Sequence, residues 1–166
     1  MTDFIRDVRR EYKYATLSRT EVEKNPLDQF RRWIGEAEKA QIQDVTAMAL
    51  ATADAKGQPS VRIVLLKGFD ETGFSWFSDG GSEKGLALAG NPRAELLFHW
   101  RELDRQIRIR GQVVTLSQAE ADAYFYSRPL ASQLAAATSA QSRPVANREE
   151  LESRYKLLAE KHTERA

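Results

Sequence analysis

The stretch Arg62-Ile-Val-Leu-Leu-Lys67 decides the reading of this chain. Apolar residues fill the places between two cations, which predicts a buried strand, Ser60–Lys67, with positive charge brought near a core. Such charge is expensive unless it is paired or solvated, and an anionic ligand is one natural partner. Strict alternation puts positions 61, 63, 65 and 67 on one face and 62, 64 and 66 on the other, so the cations point apart unless a bulge intervenes. Spacing alone is also met by two surface cations on a half-exposed strand.

Outward from this stretch the pattern is mostly strand. Ala47–Thr52 precedes it, across an Ala55-Lys-Gly57 turn. Asp70–Gly73 is a turn with an acid at its start and glycine at its end, followed by a strand over Phe74–Ser78. Ala94–Trp100 and Arg105–Leu116 are two further strands. Short strands with short links predict an antiparallel sheet or barrel. Helices punctuate it. Asn25-Pro26 caps an amphipathic helix over 26–40, and Ser82 one ending at Gly90-Asn-Pro92. Ser117-Gln-Ala-Glu120 is a capping box for a helix to about Tyr126, which Pro129 breaks or restarts. Asn147 opens a last helix. Residues 1–20, polar and rich in arginine and lysine, read as a mobile arm, and 21–166 as a single domain.

Composition narrows the chemistry. A net charge of +1 gives no broad basic footprint for nucleic acid or a membrane surface, so any positive site is local. With no cysteine there is no disulfide, thiolate metal site or cysteine nucleophile, which fits a cytoplasmic protein. No apolar run reaches the roughly 20 residues of a membrane span. His99 and His162 are far apart in sequence, so a metal centre or a Ser-His-acid triad has little support.

Two local constellations remain. The loop Ser78-Asp-Gly-Gly-Ser-Glu-Lys-Gly85 follows a strand and opens a helix. Its glycines let backbone N–H groups approach an anion, and Lys84 adds a charge-assisted contact. It matches no nucleotide-binding fingerprint, and a plain turn accounts for it as well. Tyr124, Arg128 and Ser132 are spaced by four. If helical geometry persists through Pro129, they present a ring, a guanidinium fork and a hydroxyl on one face.

Taken in order, these residues resemble the pyridoxamine/pyridoxine 5'-phosphate oxidase family. The resemblance runs through Arg9-Arg-Glu-Tyr12, Asn25-Pro-Leu27, Arg62–Lys67, Gly81-Ser82, Lys84, Asn91-Pro-Arg93, Leu97-Phe98, Arg105-Gln106, Tyr124-Phe125, Ser127-Arg-Pro129, Ser132 and Gln141-Ser142. It implies an FMN-binding split β-barrel with flanking helices, in a homodimer with FMN at the interface. By resemblance the FMN contacts are Arg62, Ile63, Val64, Leu65, Leu66, Lys67, Phe77, Ser78, Lys84, Gln106, Gln141 and Ser142. Lys67, Tyr124, Arg128 and Ser132 hold the substrate, and the segment Arg9, Arg10, Glu11 and Tyr12 covers it. The implied chemistry is oxidation of pyridoxamine or pyridoxine 5'-phosphate to pyridoxal 5'-phosphate, with oxygen reduced to hydrogen peroxide. No residue has to act as a nucleophile.

The chain departs from the family pattern in two ways. Where the family has Ser-Arg-Lys this chain has Ser82-Glu-Lys84, so no phosphate role passes to Glu83. Leu130 and Ala135-Ala-Ala137 also differ, which keeps open a related flavoenzyme with another substrate, such as a phenazine-type oxidase. The sequence stops at Ala166, before the segment where the family places further FMN and substrate contacts. A C-terminally shortened form is therefore expected, and a non-catalytic binding module for flavin or pyridoxal phosphate is the third reading.

Overall fold

The computed structural model describes residues 9–12, 14 and 16–162. Residues 1–8, 13 and 15 of the expected arm, and 163–166, lie outside the described residues. In chain order the elements are α1 (Pro26–Lys39), β1 (Ala47–Ala53), β2 (Pro59–Leu65), β3 (Gly68–Asp70), β4 (Gly73–Ser75), α2 (Glu83–Gly90), β5 (Arg93–Trp100), β6 (Arg105–Gln112), α3 (Gln118–Ser127), α4 (Leu130–Thr138) and α5 (Arg148–Lys161). Four strands form an antiparallel sheet in the order β2-β1-β5-β6, and β3 pairs only with β4. The chain divides into two compact units. Among the described residues, the first comprises those up to 49 with 63–75 and 96–109; the second comprises 50–62, 76–95 and 110–162.

The first unit is organised around Phe30. Asn25 starts α1 by accepting the Leu27 N–H at 2.8 Å, with Pro26 at the first helical position, where its missing N–H costs nothing. This sets Phe30 on the inner face. Its ring meets Phe69 and Phe74 edge-on at centroid distances of 4.8 and 4.9 Å, with Phe98 at 5.1 Å. Edge-on pairs suit the ring quadrupoles and add to the area buried. Trp100 is buried and donates its indole N–H to Val45 O at 3.1 Å, so its one polar atom is satisfied. The β3–β4 hairpin pairs Phe69 with Phe74. Its turn is tied by Asp70, which accepts from the Thr72 hydroxyl and then from its backbone N–H, and so keeps its carboxyl below the usual carboxylate range. Arg10 pairs with Asp104 and donates to Arg101 O, and Tyr14 N donates to Asp104.

In the second unit, local chemistry sets the helix starts. Ser82 caps α2, Ser117 and Glu120 form the reciprocal capping box of α3, and Asn147 accepts the Glu150 N–H to start α5. Gly85 has no alternative at its position. A Cβ there would lie 2.3 Å from Gly80 O, so the first turn of α2 presses directly on the preceding loop. Among the described residues no helix is long and apolar enough to cross a membrane.

Three expectations are corrected. The cationic strand is not buried: β2 alternates exposed and half-buried positions and ends at Leu65, with Val61 68% and Ile63 67% exposed. Lys67 lies outside it, because its N–H turns to Ser75 O at 2.8 Å as the chain enters the hairpin. The strand expected over Phe74–Ser78 stops at Ser75, and that over Arg105–Leu116 stops at Gln112. Finally, Tyr124, Arg128 and Ser132 do not share one helix face. Arg128 is extended (φ −76°, ψ 153°) between α3 and α4, the conformation that the following proline imposes.

Candidate functional site

The loop from Ser78 to α2 builds the site. Asp79 organises it, taking the Gly81 N–H on Oδ1 at 2.7 Å and the Gln141 N–H on Oδ2 at 3.2 Å. One carboxylate thus ties the loop before α2 to the segment after α4. Lys84 sits in the first turn of α2 with only 6% of its surface exposed. Its ammonium donates to Ser78 Oγ at 2.9 Å, Ser82 Oγ at 3.2 Å and Gln141 Oε1 at 2.8 Å. An ammonium has three donors, and all three go to neutral oxygens. Burial, and next the nearby charge of Arg62, push its pKa below the ordinary 10.5, while Asp79 and Glu83 partly offset them. A buried cation hydrogen-bonded to neutral oxygens at a helix N-terminus is chemically suited to an anion.

Arg62 approaches from β2. Its guanidinium donates to Thr52 Oγ1 at 2.8 Å, Leu50 O at 3.1 Å and Ser60 Oγ at 2.7 Å. Ser60 in turn donates its hydroxyl to Glu83 Oε1 at 2.9 Å. Arg62, Ser60 and Glu83 therefore form a relay in which the acid of the loop is drawn toward an arginine. In the same unit Phe77 and Tyr124 stack face to face, with centroids 3.6 Å apart and planes 6° from parallel.

Of the residues singled out in the sequence, the second unit holds Arg62, Phe77, Ser78, Lys84, Tyr124, Arg128, Ser132, Gln141 and Ser142. Ser78, Lys84 and Gln141 are in direct contact, as are Phe77 and Tyr124. The first unit holds Ile63–Lys67, Gln106 and Arg9–Tyr12. Ile63, Leu65, Lys67 and Gln106 are exposed there, and Leu66 is buried with its N–H on Thr46 O. None of the predicted site residues lines the apolar cavity of about 310 Å³ beside Phe30, Trp33 and Ile107. Sequence reasoning missed Ser60, Thr52 and Asp79, whose roles come from contacts across the fold.

The sequence pattern of the family described as pyridoxamine 5'-phosphate oxidase matches residues 34–161. The chain belongs to that family. It is 54% identical over 148 residues to the pyridoxine/pyridoxamine 5'-phosphate oxidase of Cupriavidus necator, covering 89% of this chain and 70% of that one. It is 49% identical over 158 residues to the enzyme of the same name from Trichormus variabilis, covering 95% and 74%. Among solved structures it resembles PhzG from Burkholderia lata 383, in complex with tetrahydrophenazine-1-carboxylic acid. That match has a TM-score of 0.83 and 30% identity, over 89% of this chain and 74% of that one. A pyridoxamine 5'-phosphate oxidase-related, FMN binding protein from Nostoc punctiforme shares the fold at TM-score 0.61 and 17% identity, over 79% and 73%. The fold of this pyridoxamine 5'-phosphate oxidase family member is thus the FMN-binding split barrel, and the family is one of oxidoreductases. FMN is the cofactor of the family. Its phosphate matches the chemistry of the Lys84 turn, where a buried ammonium has only neutral partners.

Proposed function

We propose that this chain is an FMN-dependent oxidase of pyridoxamine or pyridoxine 5'-phosphate, producing pyridoxal 5'-phosphate and hydrogen peroxide. The observation that carries the reading is the buried Lys84 ammonium, held by Ser78, Ser82 and Gln141 in a chain about half identical to oxidases of that name. Bound FMN supplies the two-electron oxidation. The chain supplies binding and orientation. Lys84, Ser78, Gln141, Ser142 and Arg62 hold the phosphate end, and Ile63–Lys67, Phe77 and Gln106 the rest of the flavin. Tyr124, Arg128, Ser132 and Lys67 take the substrate, chiefly through its phosphate. Arg9–Tyr12 belongs to an arm over the substrate.

The active form in this reading is a homodimer with FMN at the interface. The outward face of β2 supports it, since an edge strand exposing Val61 and Ile63 is suited to a second copy. A second reading, a related split-barrel flavoenzyme with another substrate, draws on the likeness to PhzG and on the departures at Glu83, Leu130 and Ala135-Ala-Ala137.

The test is the absorbance spectrum of the purified chain before and after anaerobic pyridoxine 5'-phosphate. A flavin spectrum that bleaches, with peroxide released on readmitting oxygen, is expected. Flavin that stays oxidised favours the second reading, and a chain that remains colourless after FMN titration overturns both.

A further inference from the structure

Position 83 poses a problem of charge. The loop before α2 is suited to an anion, yet its helix begins with Glu83, an acid in the first turn. Both cations so far described there already donate to oxygens of the protein itself. Lys84 spends its three donors on Ser78, Ser82 and Gln141. Arg62 donates to Thr52, Leu50 O and Ser60, and through Ser60 offsets Glu83. With Asp79 included, the charges of Lys84, Arg62, Asp79 and Glu83 cancel. A phosphate dianion arriving at this turn would meet no net attraction.

Arg143 changes that balance. Ser142 adopts a left-handed conformation (φ 64°), and Arg143 N returns to Ala140 O at 3.1 Å. This tight turn brings the Arg143 side chain back over the loop. Its Nη2 lies 2.7 Å from the point a Cβ on Gly81 would occupy, so the absence of a side chain at 81 makes its room. Among the described residues its guanidinium has no carboxylate within ion-pair distance and donates no hydrogen bond. Of the three cations around the turn, Arg143 alone makes no side-chain hydrogen bond to a described residue, while Lys84 and Arg62 each bond several protein oxygens.

We propose that Arg143 is a specificity-determining residue of this site. Its guanidinium supplies the second cation for a phosphate monoester at the N-terminus of α2, where Glu83 has placed negative charge. The inference rests on the reading of this turn as the FMN phosphate site. It adds Arg143 to Lys84 and Arg62 as a cation of that site, Arg62 being shared with Glu83 through the Ser60 hydroxyl. A guanidinium fork matches two phosphate oxygens, and neutral riboflavin has no use for it.

The experiment uses the full chain freed of flavin. FMN and riboflavin affinities are measured by fluorescence quenching for the wild type, Arg143→Gln, Arg143→Lys and Gly81→Ala. The backbone amide shifts of Gly81 and Ser82 are followed during titration with inorganic phosphate. Arg143→Gln is expected to weaken FMN on the order of tenfold, about 1.4 kcal/mol, and leave riboflavin unchanged, since only the phosphate meets the guanidinium. Arg143→Lys should recover part of the loss, and Gly81→Ala should imitate it by displacing the guanidinium. The phosphate-induced shifts should be lost in Arg143→Gln. Equal FMN affinity in wild type and Arg143→Gln, or equal loss of FMN and riboflavin, overturns the proposal. If the wild type binds no FMN but its phosphate response depends on Arg143, the FMN reading fails and the role of Arg143 as an anion ligand stands. No response to either FMN or phosphate overturns both.

Discussion

Lys84 and Gln141 are 57 residues apart in sequence, and the ammonium of one donates to the side-chain oxygen of the other at 2.8 Å. A neutral amide thus serves as acceptor where a buried cation would ordinarily find a carboxylate. That choice leaves Lys84 without a direct ion pair, its three donors all on neutral oxygens. Replacement by an uncharged residue of similar length separates binding from stability. Lys84→Met is expected to lower FMN affinity on the order of a hundredfold, while its thermal midpoint holds or rises because a desolvated charge is gone. Flavin content of the purified protein and a melting curve check the two halves.

The same group sets an alkaline limit. Burial lowers the pKa of Lys84 below 10.5, so between the folded and unfolded values the unfolded chain binds the extra proton. Burying the charged form costs stability below the folded pKa. That cost is relieved as pH rises through the window up to 10.5, so this residue alone makes stability increase there. Anion binding runs the other way, since it needs the ammonium. FMN affinity should fall as pH rises through the lowered pKa, earlier than a solvated lysine would dictate. Titration of FMN across about pH 8 to 11 checks it, with Lys84→Arg as the reference, because arginine stays charged throughout.

Helix starts were legible because their chemistry is local. Asn25-Pro26, Ser82, Ser117 with Glu120, and Asn147 each act within a turn of themselves. Strand ends were less so. The exit of Lys67 from β2 depends on its N–H finding Ser75, and β3 was too short to register in the pattern. The broken face at Arg128 could have been read, since a residue before proline is driven out of helical geometry. Ser78, Lys84 and Gln141 were anticipated by resemblance, and the structure brings them together. Asp79, Ser60 and Arg143 were invisible because each works through a residue distant in sequence.

The contact between Gly85 and Gly80 predicts a sharp difference between two neighbouring glycines. A methyl at 85 meets the backbone of Gly80 at 2.3 Å, which cannot swing aside as a side chain could, whereas a methyl at 80 meets nothing within 4 Å. Gly85→Ala should destabilise the chain by about 1–3 kcal/mol, the usual cost of overpacking, and weaken FMN binding by moving Ser82 and Lys84. Gly80→Ala should be close to neutral. Urea midpoints of the two variants, measured with flavin and without it, give the comparison.

The apolar outer face of β2 carries the last prediction. Val61 and Ile63 are each about two-thirds exposed on a strand at the end of its sheet, a combination that invites pairing unless it is covered. Covering by a second copy accounts for side chains that this chain leaves in water. Ile63→Lys puts a charge on that face at little cost to the isolated chain, because the position is already exposed. In sedimentation velocity the wild type should run as a dimer and Ile63→Lys as a monomer. A wild type that is monomeric at all concentrations, or an Ile63→Lys variant that stays dimeric, would rule this face out as the interface.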